Sequence, residues 1–232
     1  CISLNAGDFI ELPEIVFNDV MVEMSKPERK IYEQLKADEI FHFIESNQTV
    51  TAVNAAVLSG KLIQLASGSL YSEDHNTINV HDRKIDAVTD MVEELSGQPV
   101  LIAYKFLADL AKLRVLFPKA PVMGEEDDIG LCRRWNAGEV PVLLLSPAGA
   151  SHGLNMQYGG HNIIEYTPDW SWERTSQFYA RLARQNQKNK QVFVHRILCY
   201  DTFDQRVITK LKLKERGQNA LLDAVKMEIK NG

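Results

Sequence analysis

Apolar residues along this chain follow two rhythms, and from residue 82 onward the two alternate. Short runs at 100–104, 141–145, 162–166 and 191–200 are rich in Val, Ile and Leu, as strands buried on both faces are. Between them, apolar residues recur every three or four positions. That predicts helices over 82–95 and 107–116, and a third that opens at the acidic run 125–128 and ends at Trp135-Asn136. A short strand is expected at 120–123, and a glycine-bearing loop with a short helix between 146 and the strand at 162. Strand and helix in repeated alternation predict an α/β fold with a mainly parallel sheet covered by helices on both faces.

The first 80 residues read differently. Residues 1–24 are extended in pattern, with apolar pieces at 15–17 and 20–22 around Asn18-Asp19, as in strand pieces or a hairpin. Ser25 and Glu28 form a capping box, with Pro27 in the first turn. The helix it opens is expected to reach about Ser46, with Ile31, Leu35, Ile40, Phe43 and Ile44 as its apolar stripe. A second helix is expected over 52–66, stopped by Gly68. Residues 67–80 are polar and loop-like, and Asp74-His75 and His81-Asp82 suit turns better than a metal site. The tail, 203–227, predicts one or two amphipathic helices with a break near Gly217. The chain thus divides into an N-terminal extended and helical segment, 1–80, and an α/β lobe with C-terminal helices, 81–232.

Composition narrows the class. The 232 residues are 45% hydrophobic and 25% charged, enough for a sizeable core. No apolar run has the length of a membrane span, so no membrane partner is expected. Three cysteines far apart, Cys1, Cys132 and Cys199, fit a reduced intracellular, cytoplasmic protein rather than a disulfide scaffold. A first residue of Cys rather than Met reads as an excised piece of a longer chain. The net charge of −5 does not advertise a nucleic-acid partner, but residues 174–216 are basic while the acidic surplus lies earlier.

The candidate chemistry lies between Ser146 and Gln187. Gln177, Arg181, Arg184 and Gln187, spaced by four, three and three, fall on roughly one face of a predicted helix, away from Phe178 and Leu182. Two guanidinium forks and two amides suit a polyphosphate, because arginine keeps its charge and offers several donors to phosphate oxygens. The alternative is a solvated amphipathic helix with scattered arginines. The small-residue loop 146–153 follows an apolar strand, and ligands of open α/β sheets sit at such strand ends.

These residues resemble, in order, the motifs of the second RecA-like lobe of a superfamily-two helicase of the Swi/Snf-type DNA translocase group. Gln177 to Gln187 resembles its motif VI, with Asn186 where glycine is usual. Residues 146–155, with Gly153-Leu154-Asn155, resemble motif V, Asp169-Trp170 the Asp-Trp pair between them, and 99–106 motif IV. Leu62 to Gly68 and Trp135-Asn136 resemble flanking segments, and the compact phage and prophage members are the nearest in appearance. The resemblance implies a RecA-like lobe working with an N-terminal RecA-like lobe that holds ATP and Mg2+. It places Arg181 and Arg184 at the γ-phosphate, Arg184 as arginine finger, with Gln177 and Gly153 also at ATP. It places Tyr104, Lys105, Ser146, Gly149 and Asn155 on the backbone of duplex or single-stranded DNA; Asn155 as a structural cap is equally open. The chain carries neither a Gly-x-x-x-x-Gly-Lys-Ser/Thr cradle nor a strand-ending Asp-Glu pair, so alone it is expected not to hydrolyse ATP. A non-catalytic interaction domain of the same fold is the alternative. An independent nucleotide-binding enzyme is disfavoured by the missing glycine-rich fingerprints.

Overall fold

The computed structural model describes residues 12–46, 52–72, 76–148 and 153–212. At its centre five strands lie in the order β1 (Glu14–Val22), β7 (Gln191–Cys199), β6 (Asn162–Glu165), β4 (Val100–Ala103) and β5 (Val142–Leu145). Every neighbouring pair is parallel. From β4 the chain steps outward to β5 and then crosses back over β4 to β6. A crevice opens at such a reversal, beyond the carboxyl ends of the strands.

Alternate strand residues face opposite sides, and each side has its own helical cover. On one side α3 (Arg83–Glu94) and α4 (Leu107–Leu116) bury Val88, Met91 and Leu113 against Val100, Ile102 and Ile164. On the other, α5 (Asp128–Asn136) and α6 (Trp172–Tyr179) bury Leu131, Trp135 and Phe178 against Leu101, Leu143 and Ile163. A third cluster joins α1 (Lys26–Ser46) and α2 (Ala52–Ser67) to α7 (Phe203–Lys212) through Tyr32, Leu62, Phe203 and Val207.

The capping box forms: the Ser25 N–H donates to Glu28 Oε2 at 2.7 Å. With Arg83 and Ser25 donating to it, the Glu28 carboxyl is held down at about 2 despite the opposing cost of burial. Other expectations shift. Asn18-Asp19 is not a turn but the middle of one strand of nine residues. Both side chains find partners across the β7 register, Asn18 with His195 at 3.2 Å and Asp19 with Arg196 at 2.6 Å. The α1 stripe runs through Tyr32, Ile40 and Phe43, leaving Ile31 45% and Ile44 52% exposed. Within the expected loop 67–80, β2 (Ser69–Tyr71) and β3 (Thr77–Asn79) pair antiparallel. Asp82 precedes α3 but its side chain makes no cap hydrogen bond; its carboxylate takes Lys112 at 2.9 Å and Asn79 at 3.1 Å. The expected strand at 120–123 is reduced to a single bridge from Val122 to Leu144, and the short helix before β6 is a turn at 157–159. Asp74-His75, Gly149 and the tail beyond 212, with its break near Gly217, lie outside the described residues.

Candidate functional site

The crevice at the reversal collects the residues that follow three strands. Tyr104 and Lys105 follow β4, Ser146 follows β5, and Thr167 and Asp169 follow β6; together they line a cavity of about 30 Å³. One buried carboxylate braces the loops around it. Asp109 of α4 accepts the backbone N–H of Lys105 at 3.2 Å and of Phe106 at 3.0 Å, and the Thr167 hydroxyl at 3.0 Å. Burial nonetheless pushes its carboxyl above the usual range. The loops after β4 and β6 are thereby tied together. On the rim, Asp169 pairs with Lys105 at 3.3 Å and with Arg174 at 3.0 Å, and accepts the Ser171 N–H at 3.1 Å.

Glu165 also lines this cavity. It ends β6 directly after Ile163-Ile164, is buried, and accepts the Tyr179 hydroxyl at 3.1 Å. Burial raises its carboxyl to about 7, against the opposing pull of Tyr179 and Arg196. Tyr104 is buried too, and burial, with the Glu125 carboxylate adding, raises its phenol.

Behind the crevice, the end of α5 grips the loop that leads to β6. Trp135 Nε1 donates to the Met156 carbonyl at 2.8 Å, and Asn136 Nδ2 to the Asn155 carbonyl at 2.7 Å. The loop can approach so closely because residue 159 is glycine: a Cβ there would lie 2.3 Å from Trp135 Nε1. Gly153, exposed at a φ of 95°, starts the described part of this loop. The Asn155 side chain faces the other way and accepts a hydrogen bond from Arg184.

The two arginines do not share a helix face. α6 ends at Tyr179, so Arg181 and Arg184 stand on turns beyond it. The backbone tightens there: Arg181 N–H donates to the Phe178 carbonyl and Leu182 N–H to the Tyr179 carbonyl, both at 3.1 Å. Asn186 takes a left-handed φ of 69°, the conformation glycine would supply. Gln187 turns inward and donates to the Gly160 and Leu182 carbonyls at 3.0 and 3.2 Å, so it fastens the turn.

Gln177 remains on α6, exposed, and donates to Glu173 at 3.4 Å. With Arg174 and Arg181 it lines an open groove of about 420 Å³, whose near wall is Pro147-Ala148. Arg181 is half-buried, and burial lowers its pKa from the ordinary arginine value. Arg184 is exposed and is not among the residues that line this groove. The structure thus joins Tyr104, Lys105 and Ser146 in one place, Gln177 and Arg181 in a second, and Asn155 with Arg184 in a third.

Asp109, Glu165 and Arg174 belong to the same site and were not singled out from sequence. A signal existed for two of them: Glu165 is a charge directly after the apolar pair Ile163-Ile164, and Arg174 stands three residues before Gln177. The groove presents two guanidiniums, Arg174 and Arg181, with the Glu173 carboxylate beside them. Among the described residues no group of three or more His, Cys, Asp or Glu side chains is placed to hold a metal ion. No described helix is long and apolar enough to cross a membrane. Cys132 and Cys199 are buried free thiols.

No family model matches the chain. It is 35% identical to protein p41 of Acyrthosiphon pisum secondary endosymbiont phage 1 over 230 residues, 97% of this chain and 49% of p41. It is 35% identical over 80 residues to the DNA repair and recombination protein RAD54 of Oryza sativa subsp. japonica, covering 34% of this chain and 8% of RAD54. The chain therefore spans about half the length of one relative and a small part of the other. Among solved structures, the C-terminal part of the Fun30 ATPase domain superposes with a TM-score of 0.65 at 14% identity, covering 95% of this chain and 99% of that one. The Sulfolobus solfataricus SWI2/SNF2 ATPase core in complex with dsDNA gives 0.58 at 15% identity, covering 94% and 47%. In fold, this chain is similar to the C-terminal lobe of the SWI2/SNF2 ATPases.

Proposed function

We propose that this chain is the second motor lobe of an ATP-dependent DNA translocase. In this reading a first RecA-like lobe holds ATP and Mg2+, and this lobe closes on the nucleotide with Gln177, Arg181 and Arg184, the last as arginine finger. Tyr104, Lys105, Ser146 and Asn155 meet the DNA backbone. The observation that supports it most is the placement of Lys105 and Ser146 at the sheet reversal, directly beside the groove of Gln177 and Arg181. Backbone contacts of this kind carry no sequence information, as translocation along any sequence requires. The fold likeness to SWI2/SNF2 ATPases, one of them solved with dsDNA, points the same way.

On this reading the chain is joined to a first lobe, and the test uses that two-lobe protein. Arg184→Ala should lower DNA-stimulated ATP turnover by about 10³–10⁵, the contribution of an arginine finger, or roughly 4–7 kcal/mol of transition-state stabilisation. Arg184→Lys should fail as well, since an ammonium cannot reproduce the planar fork. Arg184 is exposed on a turn, so both variants should keep the wild-type melt. Near-normal turnover in Arg184→Ala would remove the finger assignment.

A further inference from the structure

The cavity of Lys105 and Ser146 and the groove of Gln177 and Arg181 are separated by a ridge of four residues that line both: Pro147, Ala148, Arg174 and Phe178. Arg174 is the one charged side chain on that ridge. It is held by Asp169, and Asp169 also holds Lys105. A single carboxylate, 16% exposed and tied to the Ser171 N–H, thus serves two cations, Lys105 of the cavity and Arg174 on the ridge between cavity and groove.

We propose that Asp169, shared between Lys105 and Arg174, makes the two anion sites antagonistic. A phosphate in the Arg181 groove draws Arg174 off Asp169. The carboxylate then has Lys105 as its only side-chain cation among the described residues and holds it more tightly, so Lys105 is less available to a DNA phosphate. By linkage the reverse holds equally: DNA that takes Lys105 leaves Arg174 to Asp169 and weakens phosphate in the groove. Arg174 is therefore a positioning residue that couples the sites, besides lining both. Its side chain is 46% exposed, so the coupling is that of a half-exposed ion pair, about two- to fivefold in affinity. It fades as salt screens the pair.

This inference rests on the reading that one site takes DNA and the other a polyphosphate. The experiment uses this chain, a fluorescently labelled DNA duplex and inorganic tripolyphosphate, at constant ionic strength. DNA affinity of the wild type should fall about two- to fivefold as tripolyphosphate is added and then level off. The plateau is diagnostic, because plain competition for one site has none. Arg174→Ala should bind both probes with a coupling factor near one. Asp169→Asn keeps an acceptor for the Ser171 N–H and frees both cations, so it should bind both probes more tightly and also without coupling.

A fall without a plateau, or unchanged coupling in Arg174→Ala, overturns the proposal. If the wild type binds both probes independently, the antagonism is refuted and the two-site reading stands. If it binds neither, both are refuted.

Discussion

Lys84 and Asp204 form an ion pair at 2.6 Å with both side chains fully buried, joining α3 to α7. The ammonium has a second acceptor, the Tyr166 carbonyl at 3.0 Å, just past the end of β6. The carboxylate has a second donor, the Cys199 N–H at 3.1 Å, where β7 ends; its Oδ1 has none among the described residues. Replacing Lys84 by Met keeps an unbranched apolar stem of similar length. It leaves a buried carboxylate with one backbone donor. Removing one partner of a buried pair costs about 3–5 kcal/mol, a large part of the roughly 5–15 kcal/mol that stabilises a domain. At roughly 2–4 °C per kcal/mol for a chain of this size, the melting temperature should fall by about 6–20 °C. The double variant Lys84→Met/Asp204→Asn removes the stranded charge and keeps an acceptor for Cys199. It should be more stable than Lys84→Met alone, although it carries one more substitution. Thermal and urea melts of the four proteins at neutral pH give the cycle. If Lys84→Met lies within about 1 kcal/mol of wild type, or the double variant equals the sum of the singles, the pair is not what ties the strand ends to α7.

Glu165 predicts a pH dependence. Its folded value of about 7 stands above the ordinary 4.5, so the folded state binds the extra proton. Its contribution is fully present below about 4.5 and is lost as pH rises through about 7, up to roughly 3 kcal/mol for a shift of this size. Glu165→Gln should therefore gain on wild type between pH 5 and 8 in urea melts; an equal difference at both values refutes the assignment. Two glycines should respond with opposite signs. Gly159→Ala drives a Cβ to 2.3 Å from Trp135 Nε1 and should cost about 1–3 kcal/mol, whereas Gly60→Ala, in α2 with nothing within 4 Å, should stabilise by about 0.5–1 kcal/mol in the same melts.

What was legible in the sequence was local or periodic. The capping box at Ser25, the strands at 100, 142, 162 and 191 and the helices between them need only neighbours in the chain to be recognised. What was not legible depends on distant partners. Asn18-Asp19 has the composition of a turn, and it is strand because β1 pairs with the distant β7 along its whole length, with His195 and Arg196 meeting the two polar side chains. The pairing of β2 with β3 is fastened from outside by Lys112, which donates to the Gly68 and His81 carbonyls at 3.0 and 2.9 Å. Helical spacing from Gln177 to Gln187 was real as a pattern but not as a helix. Loop 153–160 occupies the space beyond Tyr179: Met156 N–H reaches the Arg181 carbonyl at 3.2 Å, and Gln187 takes Gly160.

The site itself shows why motif order carried further than motif geometry. In a parallel sheet every strand delivers its following loop to the same edge, whatever the order of the strands. Residues just past β4, β5 and β6 therefore had to share one rim, and their order along the chain was enough to predict that much. Which of them touch depends on the permutation. Because β6 rather than β5 lies on the inner side of β4, Lys105 meets Asp169, and Asp109 can span from Phe106 to Thr167. The same permutation brings Arg174 to Asp169 from the start of α6. A chain that stepped from β4 to β6 on the outer side would keep every motif and lose the shared carboxylate. The chemistry of the rim thus follows from two separate facts, the residues at the strand ends and the point at which the winding reverses, and only the first is written as a local pattern.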